Sequence, residues 1–416
     1  MKTIGFSVRS APIIAWLAFC VLVPALVAAA DNRVLVIGID GAGGSFLQNA
    51  DTPFIDALAA KGGVSYNFLN EGALVPNPPS GYGASGVNWS TIATGASAVH
   101  HGVTDNSFSG SRFLQYPHLF KYIKDKNPAL YAASIVNWAP INQQILANLY
   151  ANLEQQFPSD TSVRDATVNL LASGNPQAIF VHFDQVDAAG HSIGWGTPQY
   201  NVAISNVDTL IGGPGGIIPA LNARPGVVNG SENWLVMITA DHGGQGTGHD
   251  AGQGLINWEV PFVVSGPSVP DGVSLTQGTL RDVVPTALWH LGIDPFALNL
   301  DGTVRGLTIS PPNGIIADIN QDGVVAGDGK GTALTDDVTA FVNGWLTTGS
   351  GNITQRYARG DLNFDGITDI ADWAILNREN SSLGAAARAR LTNVPEPSTW
   401  LLLVVVIPQA MMMVRR

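Results

Sequence analysis

The feature that most constrains the fold is a set of continuous apolar runs, three of which end at an aspartate. Residues 33–39, 178–183 and 234–240 form these runs, and residues 261–265 form a fourth. Runs of this length are typical of strands buried on both faces, as in parallel sheets. Segments between them carry helix signals, such as the proline-started, glycine-ended stretch 52–62. We therefore predict an α/β fold with a mainly parallel central sheet flanked by helices.

Polar residues able to bind metal follow three of these runs. Ligands of open α/β sheets bind beyond the carboxyl ends of the strands. Carboxylates and imidazoles without a thiolate suit zinc and leave manganese or iron possible. Any one of these groups could instead be an ordinary turn or hydrogen-bonding residue, but three together favour a metal site. The candidate ligands are Asp40, Asp187, His191, Asp241, His242 and His249.

A candidate nucleophile, Ser85, opens the segment 85–95, which follows a Gly- and Pro-rich stretch and turns into a short apolar helix. The first N–H groups of a helix form a favourable phosphate site. A serine at a helix entry is more often a cap than a catalyst. The three metal-ligand groups favour a catalytic role for Ser85, because coordination to a metal favours the alkoxide form of a serine hydroxyl.

Four motifs resemble those of the alkaline phosphatase superfamily, closest to its type I phosphodiesterase/nucleotide pyrophosphatase branch. They are Ile39-Asp40-Gly41, the segment 85–95, Asp187 to His191, and Asp241-His242-Gly243. The resemblance covers about residues 33–312 and implies an alkaline-phosphatase-like catalytic domain at 31–310. It also implies two divalent metal ions, usually zinc, on either side of the nucleophile.

The resemblance assigns a role to each candidate residue. One metal would be held by Asp40, Asp241, His242 and Ser85. The other would be held by Asp187, His191 and His249. Asn106 falls where the family has an asparagine that holds a phosphate oxygen. The chain departs from the branch at Ser85, where threonine is usual, and at Gly86-Val87, which replaces Phe-Pro.

The implied function is hydrolysis of a small phosphate ester, with phosphodiesters or nucleotide pyrophosphates preferred. Ser85 would attack in line and form a phosphoseryl intermediate, which water then hydrolyses. Two alternatives stay open: an alkaline-phosphatase-type phosphomonoesterase, and a cell-surface or matrix binding protein with a vestigial hydrolase site. The net charge of −12 argues against nucleic acid as a structural partner.

A second unit, residues 311–384, carries two loops with the spacing of EF-hand calcium ligands. The more complete loop has Asp361, Asn363, Asp365, Ile367, Asp369 and Asp372. The other begins with Asp318, Asn320 and Asp322, is interrupted by a Gly-rich insertion, and has Thr339 at the expected last position. The pair resembles the dockerin type I module, which implies a small all-α calcium domain that binds a cohesin-like or surface protein. A purely structural calcium clip is the alternative.

The sequence patterns at the two ends of the chain are typical of targeting segments. Residues 1–30 have the basic start, apolar middle and small-residue end of a signal peptide, and the single cysteine, Cys20, lies inside it. Residues 385–393 are predicted to be a linker. Residues 394–416 resemble the PEP-CTERM sorting signal, which implies contact with sorting machinery. We expect an exported protein, periplasmic, cell-surface or in the extracellular matrix, transiently or permanently anchored at the membrane by its C-terminus.

Overall fold

The computed structural model describes residues 30–147, 150–348 and 351–392. Nearly all of the predicted signal peptide and the whole sorting segment lie outside these residues. Within them, one sheet has seven strands in the order β2-β7-β6-β1-β5-β3-β4. The strands are β1 (Asp31–Ile39), β2 (Gly63–Leu69), β3 (Ala132–Val136), β4 (Leu153–Gln156), β5 (Ala178–Phe183), β6 (Glu232–Thr239) and β7 (Glu259–Ser265).

The predicted fold class is confirmed, because the sheet is mainly parallel. Strand β1 lies at its centre and runs parallel to both β5 and β6. Strands β3 and β4 continue the parallel array on the β5 side. On the other side β7 runs antiparallel to β6 and to β2. The buried positions of β1 fill both faces of the sheet, which explains its unbroken apolar run.

Helices cover both faces of the sheet and also form the C-terminal unit. In the catalytic region they are α1 (Gly44–Asn49), α2 (Pro53–Ala60), α3 (Ser85–Thr94), α4 (Ala98–His101), α5 (Leu119–Lys126), α6 (Asp160–Ser173), α7 (Gln185–Ile193), α8 (Pro198–Gly212), α9 (Ile217–Asn222), α10 (Pro225–Val228), α11 (Leu255–Trp258) and α12 (Val283–His290). In the C-terminal unit they are α13 (Asp337–Gly344), α14 (Ile353–Tyr357), α15 (Ile370–Glu379) and α16 (Ser381–Leu391).

Helix α3 packs directly on the central strand. The indole of Trp89, wholly buried, lies against Gly38 of β1. A Cβ at Gly38 would come within 2.3 Å of the Trp89 ring, so only glycine allows this approach. The contact brings the helix that begins at Ser85 against the carboxyl end of β1.

The C-terminal unit has its own apolar core, built from α13, α15, α16 and the two predicted calcium loops. Two residues that precede the unit in the chain, Phe296 and Val304, belong to this core. The structure differs from the prediction of a linker at 385–393. Helix α16 continues to Leu391, and Ala387 is completely buried in the core.

Among the described residues, we find no helix that combines the length and the apolar character needed to cross a bilayer.

Candidate active site

The three predicted metal-ligand groups meet at one edge of the sheet. Asp40 follows β1 directly, and Asp241 and His242 follow β6. Asp187 and His191 lie on α7, which begins just after β5. Because β1 is hydrogen-bonded to both β5 and β6 in parallel, the carboxyl ends of the three strands are adjacent.

One group joins Asp40, Asp241 and His242, all buried, with one potential ligand atom of each within 4.8 Å of the others. The Nε2 atom of His242 lies 3.4 Å from Oδ1 of Asp40 and 3.2 Å from Oδ2 of Asp241. Among the described residues, neither of these two buried oxygens accepts a hydrogen bond. Buried carboxylate oxygens without donors are costly, and a cation between them would remove that cost.

A second group joins Asp187, His242 and His249 under the same 4.8 Å limit. His191 completes it, with Nε2 3.5 Å from Oδ2 of Asp187 and 3.0 Å from Nε2 of His249. Oδ1 of Asp187 is buried and accepts no hydrogen bond from the described residues. All the candidate ligands from the two strand ends and α7 therefore lie in one cluster.

The orientation of the three imidazoles follows from their backbone partners. Nδ1 of His191, His242 and His249 lies 3.0, 2.8 and 2.9 Å from a carbonyl oxygen of Thr247, Gly243 and Gly83 respectively. A carbonyl only accepts, so each Nδ1 carries a proton, and Nε2 is the nitrogen that each ring turns toward the cluster. The Nε2 atoms of His191 and His249 lie 3.0 Å apart. Imidazole nitrogens that converge on carboxylates, with the other ring nitrogen bonded to a carbonyl, are typical of metal sites.

The acidities of these groups agree with this arrangement. Burial, and then the charges of Asp40 and Asp184, raise the pKa of Asp187 to about 9. Burial and the charge of Asp40 raise the pKa of Asp241 well above its usual range. Burial lowers the pKa of His242 to about 3. Without a cation the cluster therefore disfavours protonation of His242 and ionisation of Asp187 and Asp241.

The candidate nucleophile faces the first group. Ser85 is the first residue of α3 and is nearly buried. Its Oγ donates to Nε2 of His242 over 3.1 Å, the same nitrogen that faces Asp40 and Asp241. A hydroxyl in this position would lie beside a cation held by those three side chains.

Asn106 lies beside the nucleophile. Its Oδ1 accepts the N–H of Gly86 over 2.7 Å, which fixes the amide and leaves its exposed Nδ2 free to donate toward a ligand. The glycine at position 86, where the related branch has phenylalanine, also has a physical reason. A Cβ there would come within 2.9 Å of Oδ1 of Asn106 and 3.0 Å of the Phe108 ring. A larger residue after Ser85 would displace Asn106.

Close packing and hydrogen bonds of Gly41 fix the turn after β1. Gly41 has φ +71°, and a Cβ there would lie 2.9 Å from Cα of Asp187. Its N–H donates to Oδ1 of Asp241 over 3.1 Å. Its carbonyl oxygen accepts from Nε1 of Trp195 and from the hydroxyl of Tyr200. This leaves Oδ2 of Asp241 as the oxygen available for a metal.

His182, inside the apolar run of β5, makes a contact that the sequence alone does not predict. His182 is wholly buried in β5, and its Nδ1 accepts the N–H of Trp138 over 3.4 Å. Its Nε2–H therefore donates to Oδ2 of Asp40 over 3.0 Å, and Nε1 of Trp89 donates to the same oxygen over 2.9 Å. Two donors on Oδ2 leave Oδ1 of Asp40 for a metal. Asp40 also groups with His182 and Asp184, but the Nε2 of His182 has no lone pair to offer there.

We predict that His182→Ala weakens metal binding by about 10- to 100-fold, because outer partners of metal ligands have effects of that size. His182→Gln, whose amide can still donate to Asp40, should recover part of the affinity. Titration of the metal-free protein with zinc in a competing chelator measures both constants. Equal affinity in His182→Ala and the unaltered protein would contradict this role.

The other hydroxyls of α3 form hydrogen bonds within the helix itself. Ser90 donates to the carbonyl of Gly86, and Thr94 donates to that of Ser90. His101 is wholly buried, with its Nε2 3.0 Å from the hydroxyl of Thr91.

The two predicted calcium loops are built alike. In one, Asp372 accepts the N–H groups of the two residues that follow Asp361. In the other, Asp337 accepts the N–H groups of the two residues that follow Asp318. Asp337 therefore corresponds to Asp372, whereas the sequence pattern places Thr339 at that position. The Gly-rich insertion lengthens the loop without displacing its final carboxylate.

The more complete loop has the features of a cation site. Oδ1 of Asp361 is buried and accepts no hydrogen bond from the described residues. Burial, and then the charges of Asp372 and Asp365, raise the pKa of Asp361 to about 7. Within the described part of the unit, however, no three carboxylate or imidazole ligand atoms lie within 4.8 Å of one another. Calcium therefore stays a prediction.

Comparison with known proteins adds the family context. A sequence model described as type I phosphodiesterase / nucleotide pyrophosphatase matches residues 34–136 and 124–284, which is more than half of the 416 residues. A 2,3-bisphosphoglycerate-independent phosphoglycerate mutase of Halobacterium salinarum is 32% identical over 145 residues, covering 34% of this chain and 26% of that protein. An uncharacterized pyrophosphatase/phosphodiesterase of Schizosaccharomyces pombe is 26% identical over 233 residues, covering 51% of this chain and 45% of that protein. The matches span less than half the length of these curated relatives.

Two solved structures are more distantly similar. Murine ectonucleotide pyrophosphatase/phosphodiesterase 5 is 13% identical, with a TM-score of 0.48, over 65% of this chain and 98% of that chain. The phosphonate monoester hydrolase of Agrobacterium radiobacter is 16% identical, with a TM-score of 0.46, over 66% of this chain and 76% of that chain.

Proposed function

This chain belongs to the type I phosphodiesterase/nucleotide pyrophosphatase family, and we propose that it is an exported metal-dependent phosphoesterase that prefers phosphodiesters or nucleotide pyrophosphates. The observation that carries the proposal is the convergence of three imidazole Nε2 atoms on the carboxyl groups of Asp40, Asp187 and Asp241. Such a donor set, without a thiolate, fits two divalent ions, for which we propose zinc, with manganese or iron as alternatives.

Bound there, two divalent ions would favour the ionised form of a serine hydroxyl and offset the charge of the phosphate oxygens. The residues of the chain position the serine nucleophile and the phosphate. Ser85 attacks the phosphorus in line, so that its Oγ–P bond forms while the bond to the leaving oxygen breaks. The proton of the hydroxyl passes to solvent, and the departing alkoxide or phosphate takes one up. Water then cleaves the Oγ–P bond and regenerates the serine.

Asn106 has a positioning role in this proposal. Its amide is held by the N–H of Gly86, and its Nδ2 would donate to a non-bridging phosphate oxygen. The N–H groups at the start of α3 add the positive end of the helix dipole at the same place. Both contributions act on the phosphate, whichever ester group it carries.

The nearest cationic side chains downstream of the nucleophile favour a diester over a monoester. Arg112 donates to the carbonyls of Val99 and His100. Lys121 pairs with Asp125. Neither side chain is therefore available to neutralise the second negative charge that a monoester carries. The monoesterase remains the second candidate, and a binding protein with a vestigial site the third.

We expect kcat/KM for bis-p-nitrophenyl phosphate to exceed that for p-nitrophenyl phosphate by about tenfold or more, because Arg112 and Lys121 are engaged with other partners. A tenfold preference corresponds to about 1.4 kcal/mol in the activation free energy. Steady-state kinetics on the zinc-loaded protein measures both values, and a Ser85→Ala preparation controls for contaminating phosphatases. A preference for the monoester would favour the phosphomonoesterase. Bound metal without turnover of either ester would favour the binding protein.

The remaining parts of the proposal concern the ends of the chain. We propose calcium binding by the dockerin-like unit, supported by the matching geometry of its two loops and by the unpaired oxygen of Asp361. Export and membrane attachment rest on the composition of residues 1–30 and 394–416. A cohesin-like or surface protein is the partner that the dockerin resemblance suggests.

A further inference from the structure

We propose that calcium in the second loop, Asp361 to Asp372, holds the C-terminal unit against the catalytic domain and thereby stabilises the segment that supports the nucleophile helix. This inference rests on the proposed calcium binding. It assigns the loop a partner within the same chain, the segment 293–304, in addition to any outside protein.

The fourth residue of the second loop makes the contact. Phe364 has φ +59°, a conformation uncommon for a bulky side chain, and is 1% exposed. Its ring stacks on Phe296 with the centroids 5.4 Å apart, and on Tyr357 with the centroids 5.8 Å apart. Phe296 belongs to the catalytic side of the boundary, so the calcium loop inserts one of its own residues between the two units.

Polar contacts surround this aromatic stack. The carbonyl oxygen of Phe364 accepts from Oγ1 of Thr303 over 3.2 Å. Oδ2 of Asp294 accepts the N–H of Ile353, the first residue of α14, over 3.0 Å. The guanidinium of Arg356 lies 4.8 Å from the centre of the Phe296 ring. The backbone of the loop and its neighbouring helix are thus bonded to segment 293–304.

The same segment holds the far end of the nucleophile helix. The N–H of Asp301 donates to the carbonyl of Gly95, which ends α3, over 2.9 Å. Oδ2 of Asp301 accepts the N–H of Ser97 over 2.6 Å. The N–H of Thr303 donates to Oδ1 of Asp282 over 2.8 Å. Residues 301–303 therefore contact the calcium loop on one side and the end of the Ser85 helix on the other.

Calcium is needed because the loop concentrates negative charge. Burial, and then the charges of Asp372 and Asp365, raise the pKa of Asp361, burial raises the pKa of Asp372, and Oδ1 of Asp361 has no donor among the described residues. A cation that binds the ordered loop and not the disordered one favours the conformation in which Phe364 is docked. By linkage, the docked conformation binds calcium more tightly than the undocked one.

The first loop provides a matched control within the chain. Its fourth residue, Gln321, has nearly the same backbone angle, φ +61°, but its side chain donates to the carbonyl of Thr354 inside the C-terminal unit. The fifth residues also correspond. Asp322 and Asp365 each accept the N–H two residues ahead and a side-chain amide two residues behind. Asp322→Asn and Asp365→Asn therefore remove one charge from each loop with the same local bonding.

Hydrogen exchange of the full chain, with and without calcium, tests the coupling. At calcium concentrations about a hundredfold above Kd, we expect amide exchange in segment 293–304 to slow by up to about 100-fold. Asp365→Asn and Phe296→Ala should lose most of this protection, whereas Asp322→Asn should keep it. Calorimetric titration with calcium on the same samples establishes that the metal binds.

The experiment distinguishes failure of the docking inference from failure of the calcium-binding proposal or of the catalytic proposal. Calcium binding that leaves exchange in segment 293–304 unchanged would overturn the docking inference and leave the calcium site intact. Absence of calcium binding would overturn both. Loss of protection in Asp322→Asn to the same degree as in Asp365→Asn would show a general effect of the unit and overturn the assignment to the second loop. Turnover of bis-p-nitrophenyl phosphate, measured alongside, tests the catalytic proposal independently.

Discussion

Ser85→Ala is expected to lower turnover by about 10⁴-fold or more while the protein keeps its metal, since removal of a nucleophile in other hydrolases has effects at least this large. The Nε2 atoms and carboxylates of the cluster do not depend on the Ser85 hydroxyl for their positions, because backbone carbonyls orient the three imidazoles. Metal content by mass spectrometry and turnover of bis-p-nitrophenyl phosphate are the two measurements.

Two variants on the same helix act as controls. Ser90→Ala removes a buried hydroxyl that bonds only to the carbonyl of Gly86 among the described residues, so its turnover should stay close to that of the unaltered protein. Ser85→Thr restores a hydroxyl at the attacking position and should recover measurable turnover. Full activity in Ser85→Ala, or equal losses in Ser85→Ala and Ser90→Ala, would contradict the assignment of the nucleophile.

Removal of the transition-metal ions with a chelator that leaves calcium bound should abolish turnover and also lower the melting temperature. Without cations, Asp40, Asp187 and Asp241 each keep a buried oxygen that forms no hydrogen bond with the described residues, an arrangement that destabilises the folded state. Addition of zinc should restore both properties, whereas calcium, which prefers oxygen ligands, should not restore turnover. Unchanged turnover after verified metal loss would contradict the proposal.

The effect of metal removal should depend on pH. The pKa of Asp187 in the metal-free folded protein is raised to about 9, above its ordinary value of 3.8, so the folded state holds a proton that the unfolded state has lost. Stability of the metal-free protein should therefore fall as pH rises from about 4 toward 9. The metal-loaded protein, in which this carboxylate is ionised and coordinated, should show a flatter profile. A metal-free protein that gains stability over this range would contradict the account.

The edge of the sheet that carries the site could be predicted because buried parallel strands leave a strong signal. The apolar runs before Asp40, Asp184 and Asp241 predicted β1, β5 and β6, and parallel neighbours place their carboxyl ends together. The pairing of β2 with β7 could not be predicted, because antiparallel edge pairing depends on register and not on composition.

The hydrogen bonds around the candidate metal ligands also could not be predicted from the sequence. His182 lies in an otherwise apolar central strand, which is a signal that a buried polar residue has a specific partner, but only the register of β5 against β1 shows that this partner is Asp40. Asp337 was missed because the Gly-rich insertion breaks the spacing on which loop patterns depend. Helix α16 lacks an apolar stripe strong enough to predict, and it is helical because Leu383 and Ala387 pack into the core of the C-terminal unit.

The proposed covalent bond between Ser85 and phosphorus can be trapped during turnover. The zinc-loaded protein would be mixed with bis-p-nitrophenyl phosphate, quenched in acid within the first turnover, digested and analysed by mass spectrometry. We predict that the peptide containing Ser85 gains the mass of the phosphoryl group with its retained nitrophenyl ester, and that Ser85→Ala gains nothing. Turnover without any adduct, or an adduct on a residue other than Ser85, would contradict the account.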